Sequence, residues 1–219
     1  MRYAERTKRP PRTLTDREVK KLLEVTGKAK EGFRDHMIFS LALGCGLRES
    51  EIVALNIEDV ARVVKPGSTG KKPSWKELAP KRIIELKVFK RAGKGVGADP
   101  KFQRVHVPDA TYYKLEKYLK MIEAHTFYLD TMLFRSRKGN RLSDRMVREM
   151  FQKWQQRAGF DTIYNFHCLR HTAITNVRRV SKDIRIAQKF ARHVNINTTL
   201  RYEHASDEEI AAAVKGIAA

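Results

Sequence analysis

One tyrosine near the C-terminal end, Tyr202, lies in surroundings that suit a nucleophile acting on phosphorus. His193 stands nine positions upstream in ARHVNINTTLRY, and His167-Cys168-Leu169-Arg170-His171 lies further back. Far upstream, Arg48-Glu49-Ser50-Glu51 follows a Gly44-Cys45-Gly46 turn. A phenol, with an ordinary pKa of about 10, is a poor nucleophile at neutral pH. It attacks a phosphodiester usefully only where fixed cations stabilise the charge developing on the transferred phosphoryl group.

Each of these residues also has an ordinary reading. Arg48 and Glu51 are i and i+3, so they share a helix face and by default form a solvated ion pair. After a tight glycine turn, however, Arg48 can project toward a phosphate as a bidentate donor. His167 and Arg170 have the same spacing and can face one pocket from one helix turn, or simply begin a helix with Arg170 solvated. His171 is rotated by about 100° from Arg170 and reads as a supporting or packing histidine.

Composition points to a polyanionic partner. Lys+Arg number 45 against 25 Asp+Glu, a formal net charge of +20 on 219 residues, which favours DNA or RNA. A merely basic, soluble protein is the plainer alternative. A membrane surface fits less well, because the cations are spread along the chain and do not form one amphipathic face. No apolar run approaches bilayer-spanning length, and Met1-Arg2-Tyr3-Ala4-Glu5 does not begin a signal peptide. A cytoplasmic, nucleoid-associated protein is expected. Cys45 and Cys168 belong to no CxxC pair and sit among apolar neighbours, so both read as small buried hydrophobes, and no metal or cofactor motif is present.

The elements that must position these groups are mostly helical. Residues 1–12 read as a basic arm or linker remnant, followed by one domain over 13–219. Thr15-Asp16-Arg17-Glu18 is a capping box opening a first helix. Further helices are expected over about Arg34–Leu43, Leu47–Leu55 and Thr111–Ile122, and from Ser143 to near Ala158-Gly159. Two more cover His167–Val177 and about Asp183–Arg192, and Ser206-Asp207-Glu208-Glu209 caps a last helix over 206–219. Arg82–Phe89 and Gln103–Val107 form a β-hairpin around the basic glycine-rich turn Lys90–Gly97. Residues 65–81 look like a flexible basic insertion. The fold class is therefore mainly α with a small antiparallel sheet (α+β).

GCGLRESEIVALNIEDV, HCLRHTAIT and ARHVNINTTLRYEH, in that order, resemble the boxes of the tyrosine recombinase (phage integrase) family across Leu14–Ala205. The resemblance implies a mostly helical catalytic domain with a small sheet, shared with type IB topoisomerases. It also implies strand cleavage and rejoining through a 3′-phosphotyrosyl link, with no metal or nucleotide. On that resemblance Tyr202 is the nucleophile and Arg48 and Arg170 clamp the phosphate. Glu51 orients the site, His167 is an acid/base or hydrogen-bonding group, and His193 donates to the phosphate. A hairpin lysine protonates the leaving 5′ oxygen: Lys90 aligns best, with Lys87 and Lys94 as competitors. Arg192 departs from the family, which usually has a small residue, often glycine, immediately before this histidine. Double-stranded DNA and a homotetramer on paired sites are the implied partners. An N-terminal clamp domain is not matched, so a catalytic fragment and a minimal recombinase are both open. A relaxing topoisomerase and a non-catalytic DNA-binding regulator remain the alternative functions.

Overall fold

The computed structural model describes residues 11–29, 32–64, 78–87, 102–122 and 132–202. In chain order these form α1 (Asp16–Lys28), α2 (Phe33–Cys45), α3 (Glu49–Ala54), α4 (Ile57–Val60), β1 (Ala61–Val63), β2 (Leu78–Pro80), β3 (Ile83–Lys87) and β4 (Phe102–His106). They continue with α5 (Asp109–Met121), α6 (Asp144–Arg157), α7 (His167–Ser181), α8 (Ile184–Ala191) and α9 (Ile196–Leu200). The fold is mainly α with small antiparallel sheets, as the residue pattern implies.

Helix α2 is the axis of the core. Met37, Ile38, Phe39, Leu41 and Ala42 are all fully buried, because the helix packs against α1, α5 and α7 on different sides. A helix apolar around most of its circumference is one enclosed by its neighbours. Phe39, Phe151 and Phe166 meet beside it, with ring centroids 5.3 Å apart for Phe39–Phe151 and 5.6 Å for Phe151–Phe166, both edge-on. Phe166 immediately precedes α7, so this aromatic cluster fixes the start of the helix that carries His167 and Arg170.

The connection into α7 is held as well. Gln155 donates from Nε2 to the Tyr164 carbonyl at 3.0 Å and accepts the Tyr164 amide at 2.7 Å. The predicted capping box is present: Thr15 accepts from the Glu18 amide, and the Glu18 carboxylate takes the Thr15 amide. The Leu14 amide donates to Thr172 Oγ1 at 2.8 Å, tying the start of α1 to the middle of α7.

Two features differ from the sequence expectation, the strand pairing of residues 78–80 and the start of the third helix. Residues 78–80, within the segment 65–81 read as an insertion, form β2 and pair with β1 in the register Ala61↔Pro80 to Val63↔Leu78. Such short strands carry too few residues to show an alternation. The hairpin itself pairs Ile83↔His106 through Lys87↔Phe102, while residues 88–101, which contain Lys90 and Lys94, lie outside the described residues. The third helix starts at Glu49 and not at Leu47, because Gly46 is left-handed (φ 61°) and Arg48 is extended. The expected helix over 206–219 and residues 1–10 of the arm expected over 1–12 are likewise outside the described residues.

Candidate active site

Tyr202 belongs to a small apolar cluster separate from the main core, with Ile174 of α7 and Ala187 and Ala191 of α8. Its backbone amide donates to the Thr199 carbonyl at 2.9 Å, so α9 sets its position. Asn195 caps α9, its side chain accepting from the Asn197 amide. Tyr202 is 8% exposed. Burial raises its pKa above the ordinary phenol value, with Arg170 and Arg201 opposing. The phenol is therefore neutral at pH 7 and must lose its proton during any attack.

The group that meets the phenol is His171. Its Nδ1 is in hydrogen-bond contact with Tyr202 Oη, and the ring centroids are 5.6 Å apart. His167 packs edge-on against His171 at 4.6 Å, and His193 stacks near Tyr202 at 6.4 Å. Of the two readings of His171, supporting or packing, the contact favours the first and places the ring directly on the tyrosine hydroxyl. His167 and His171 are i and i+4, a spacing that places both on one helix face. That signal was available in the sequence.

Arg170 is 1% exposed. Its Nη1 donates to the Gly46 carbonyl and its Nη2 to the Ala191 carbonyl. One side chain thus ties the end of α2 and the end of α8 to α7. Burial, reinforced by Arg48 and Arg192, lowers its pKa to about 9, with Glu51 opposing, so it remains cationic at neutral pH. Gly46 lies against α8: a Cβ there would come within 2.8 Å of the Phe190 ring, and its φ of 61° is one that L side chains rarely adopt.

Arg48 and Glu51 sit beside this junction. The Glu51 carboxylate accepts the Arg48 amide at 2.8 Å and Arg48 Nη1 at 2.7 Å. It also accepts Arg192 Nη2 at 2.6 Å. Two guanidinium groups therefore share one carboxylate, with a third, that of Arg170, close by, and the balance is cationic. The Arg48 side chain is 38% exposed, which leaves it within reach of an incoming anion. His193 Nδ1 lies 3.0 Å from Thr199 Oγ1, and the His193 amide donates to Gln188 at the end of α8. The described structure thus brings Arg48, Glu51, His167, Arg170, His193 and Tyr202 into one neighbourhood. Lys90 lies outside the described residues, and of the lysine's competitors only Lys87 falls within them, as the last residue of β3.

Burial also governs the histidines. It lowers His171 and His193 to about 4, helped by neighbouring cations: His167 is the largest such contributor for His171 and Arg170 for His193. His36, beside Lys114 in the core, is lowered to about 4 for the same reason. Their ordinary pKa is about 6.5, so the unfolded chain binds more protons than the fold between those values. Stability is fully present above about pH 6.5 and is lost as pH falls toward about 4. Urea unfolding across pH 4–7 should show a midpoint that drops steeply over this window. A flat profile there would contradict the buried neutral histidines.

Among the described residues there is no group of three or more His, Cys, Asp or Glu side chains arranged to hold a metal ion. Cys45 and Cys168 are buried and free, and burial pushes both thiols up to about 12. No helix of the described residues is long and apolar enough to cross a membrane.

Fold and site together define a mainly helical domain built around a tyrosine set among arginines and histidines. The chain belongs to the phage integrase family, whose profile matches residues 12–209. It is 31% identical over 209 residues to tyrosine recombinase XerC of Caldanaerobacter subterraneus subsp. tengcongensis, covering 94% of this chain and 51% of that protein. It is 29% identical over 218 residues to tyrosine recombinase XerA of Pyrococcus horikoshii, covering 97% of this chain and 65% of that one. A crystal structure of XerA recombinase matches with a TM-score of 0.68 at 25% identity, covering 95% of this chain and 65% of that chain. The chain thus spans roughly half to two-thirds of the length of these curated relatives.

Proposed function

We propose that this chain carries the strand-cleaving and rejoining site of a site-specific DNA recombinase, acting through a covalent 3′-phosphotyrosyl intermediate. The observation that carries the reading is the contact of Tyr202 Oη with a histidine nitrogen, with the guanidinium groups of Arg170 and Arg48 nearby. Family membership and the names of the tyrosine recombinase relatives support it. So does the net charge of +20, which favours duplex DNA as the partner.

Tyr202 Oη attacks the phosphorus and displaces the 5′ oxygen. The phenolic proton passes to His171, with His167 packed behind it, and the leaving oxygen takes a proton from Lys90. Arg48, Arg170 and His193 stabilise charge on the nonbridging oxygens, while Glu51 orients Arg48. The new phosphotyrosyl bond conserves the phosphodiester, so a 5′-hydroxyl from a partner strand reverses every transfer without an external energy source. Exchange between two duplexes requires four such sites, hence a homotetramer on paired DNA.

A library of nicked suicide duplexes with randomised sequence tests the reading. Cleavage releases the short 5′-hydroxyl fragment and strands the protein on the DNA. The expected product is a denaturant-stable, protease-sensitive complex on a sequenceable subset of duplexes. If no duplex in the library yields such a complex, catalysis by this chain is refuted.

A further inference from the structure

We propose that Arg192 is a positioning residue, holding the Glu51 carboxylate that in turn aims Arg48 at the phosphate. The inference rests on the reading of Arg48 as a phosphate ligand. Arg192 ends α8 with φ 56°, a left-handed conformation that a Cβ disfavours and glycine accepts. A side chain at such a position needs an interaction to offset that conformation. Here it is a buried ion pair: the Arg192 side chain is 5% exposed and its Nη2 lies 2.6 Å from Glu51 Oε2.

The geometry around Glu51 explains what the pair does. Oε1 accepts Arg48 Nη1, and Oε2 accepts both the Arg48 amide and Arg192 Nη2. Rotating the carboxylate away from Arg192 would also disturb its contacts with Arg48. Arg48 is long and partly exposed, so by itself it would sample many rotamers. Clamped through Glu51, it is held in one orientation, as a phosphate clamp requires.

Arg48 is the exposed member of the trio, whereas the Nη2 of Arg192 is taken up by Glu51. The Arg192 Nε is buried and without an acceptor among the described residues. Its remaining contacts are with the Gly46 and Phe190 carbonyls, both at 3.4 Å. Its side chain therefore connects the end of α8, next to His193, with the start of α3.

The test compares Arg192→Gly, Arg192→Lys, Glu51→Gln and the Arg192→Gly/Glu51→Gln double variant. Glycine accommodates the backbone while removing the ion pair. Arg192→Gly should slow single-turnover adduct formation at saturating DNA by roughly 10- to 100-fold. DNA affinity and its salt dependence should stay near wild type, and Arg192→Lys should recover part of the rate. The double variant should be no slower than Glu51→Gln alone.

A wild-type rate in Arg192→Gly would overturn the proposal. So would independent, multiplying rate losses. Weaker binding with a shallower salt dependence would instead make Arg192 a phosphate ligand and overturn it too. If the wild-type protein forms no adduct, the recombinase reading fails separately, and urea denaturation of the same variants decides the linkage. Non-additive midpoint shifts would support the Arg192–Glu51 clamp, and additive shifts would reject it. If Arg192→Gly does not fold, Arg192→Gln replaces it in the same cycle.

Discussion

Arg170→Ala should damage both the fold and the chemistry, and the first loss is the larger surprise for a residue expected to face a ligand. The guanidinium joins three parts of the molecule by donating to the carbonyls of Gly46 and Ala191 from a site that is 1% exposed. Truncation leaves the Ala191 carbonyl without this donor, at about 1–3 kcal/mol, leaves Gly46 only the long contact with Arg192, and opens a cavity besides. A loss of roughly 3 kcal/mol or more in unfolding free energy is expected. That is a large share of the 5–15 kcal/mol typical of a domain. Removal of one charge-stabilising donor separately costs about 10²–10³ in rate. Arg170→Lys keeps a cation but is a compact donor that cannot span both carbonyls. It should be more stable than Arg170→Ala, yet still strongly impaired in adduct formation. An unchanged urea midpoint for Arg170→Ala would contradict the bridging role.

Tyr202→Phe should separate chemistry from everything else. The substitution keeps the ring in the cluster with Ile174, Ala187 and Ala191 and removes only the hydroxyl that meets His171. Losing one hydrogen bond costs about 1 kcal/mol, so folding and DNA affinity should remain close to wild type. Adduct formation should fall below detection, because no other group replaces the nucleophile. A Tyr202→Phe protein that still forms the complex would show that another side chain attacks.

Among the described residues, α1 and α6 were legible in the sequence because a cap and an apolar stripe coincide there. Thr15 and Ser143 behave as their patterns imply, and Gly159 closes α6 with φ 67°. Pairing between distant short segments was not legible. β1 and β2 have three residues each, and only tertiary contact makes them strands. Within the site, spacing alone grouped Arg48 with Glu51, and His167 with Arg170. It could not show that Arg170 turns inward to backbone carbonyls, because that depends on α2 and α8 ending beside α7. Arg192 stood out in the sequence as a departure from the family, but its partner did not. The Arg192–Glu51 pair spans 141 positions, and no local pattern predicts it.

The central claim is that one oxygen, Tyr202 Oη, becomes covalently joined to DNA. Protein trapped on a nicked duplex can be digested with nuclease and protease, and the modified peptide sequenced by mass spectrometry. The expected result is a 3′-linked nucleotide on the peptide spanning Tyr202, carried by that residue. A nucleotide found on any other side chain, or a trapped complex whose Tyr202 peptide is wholly unmodified, would contradict the account.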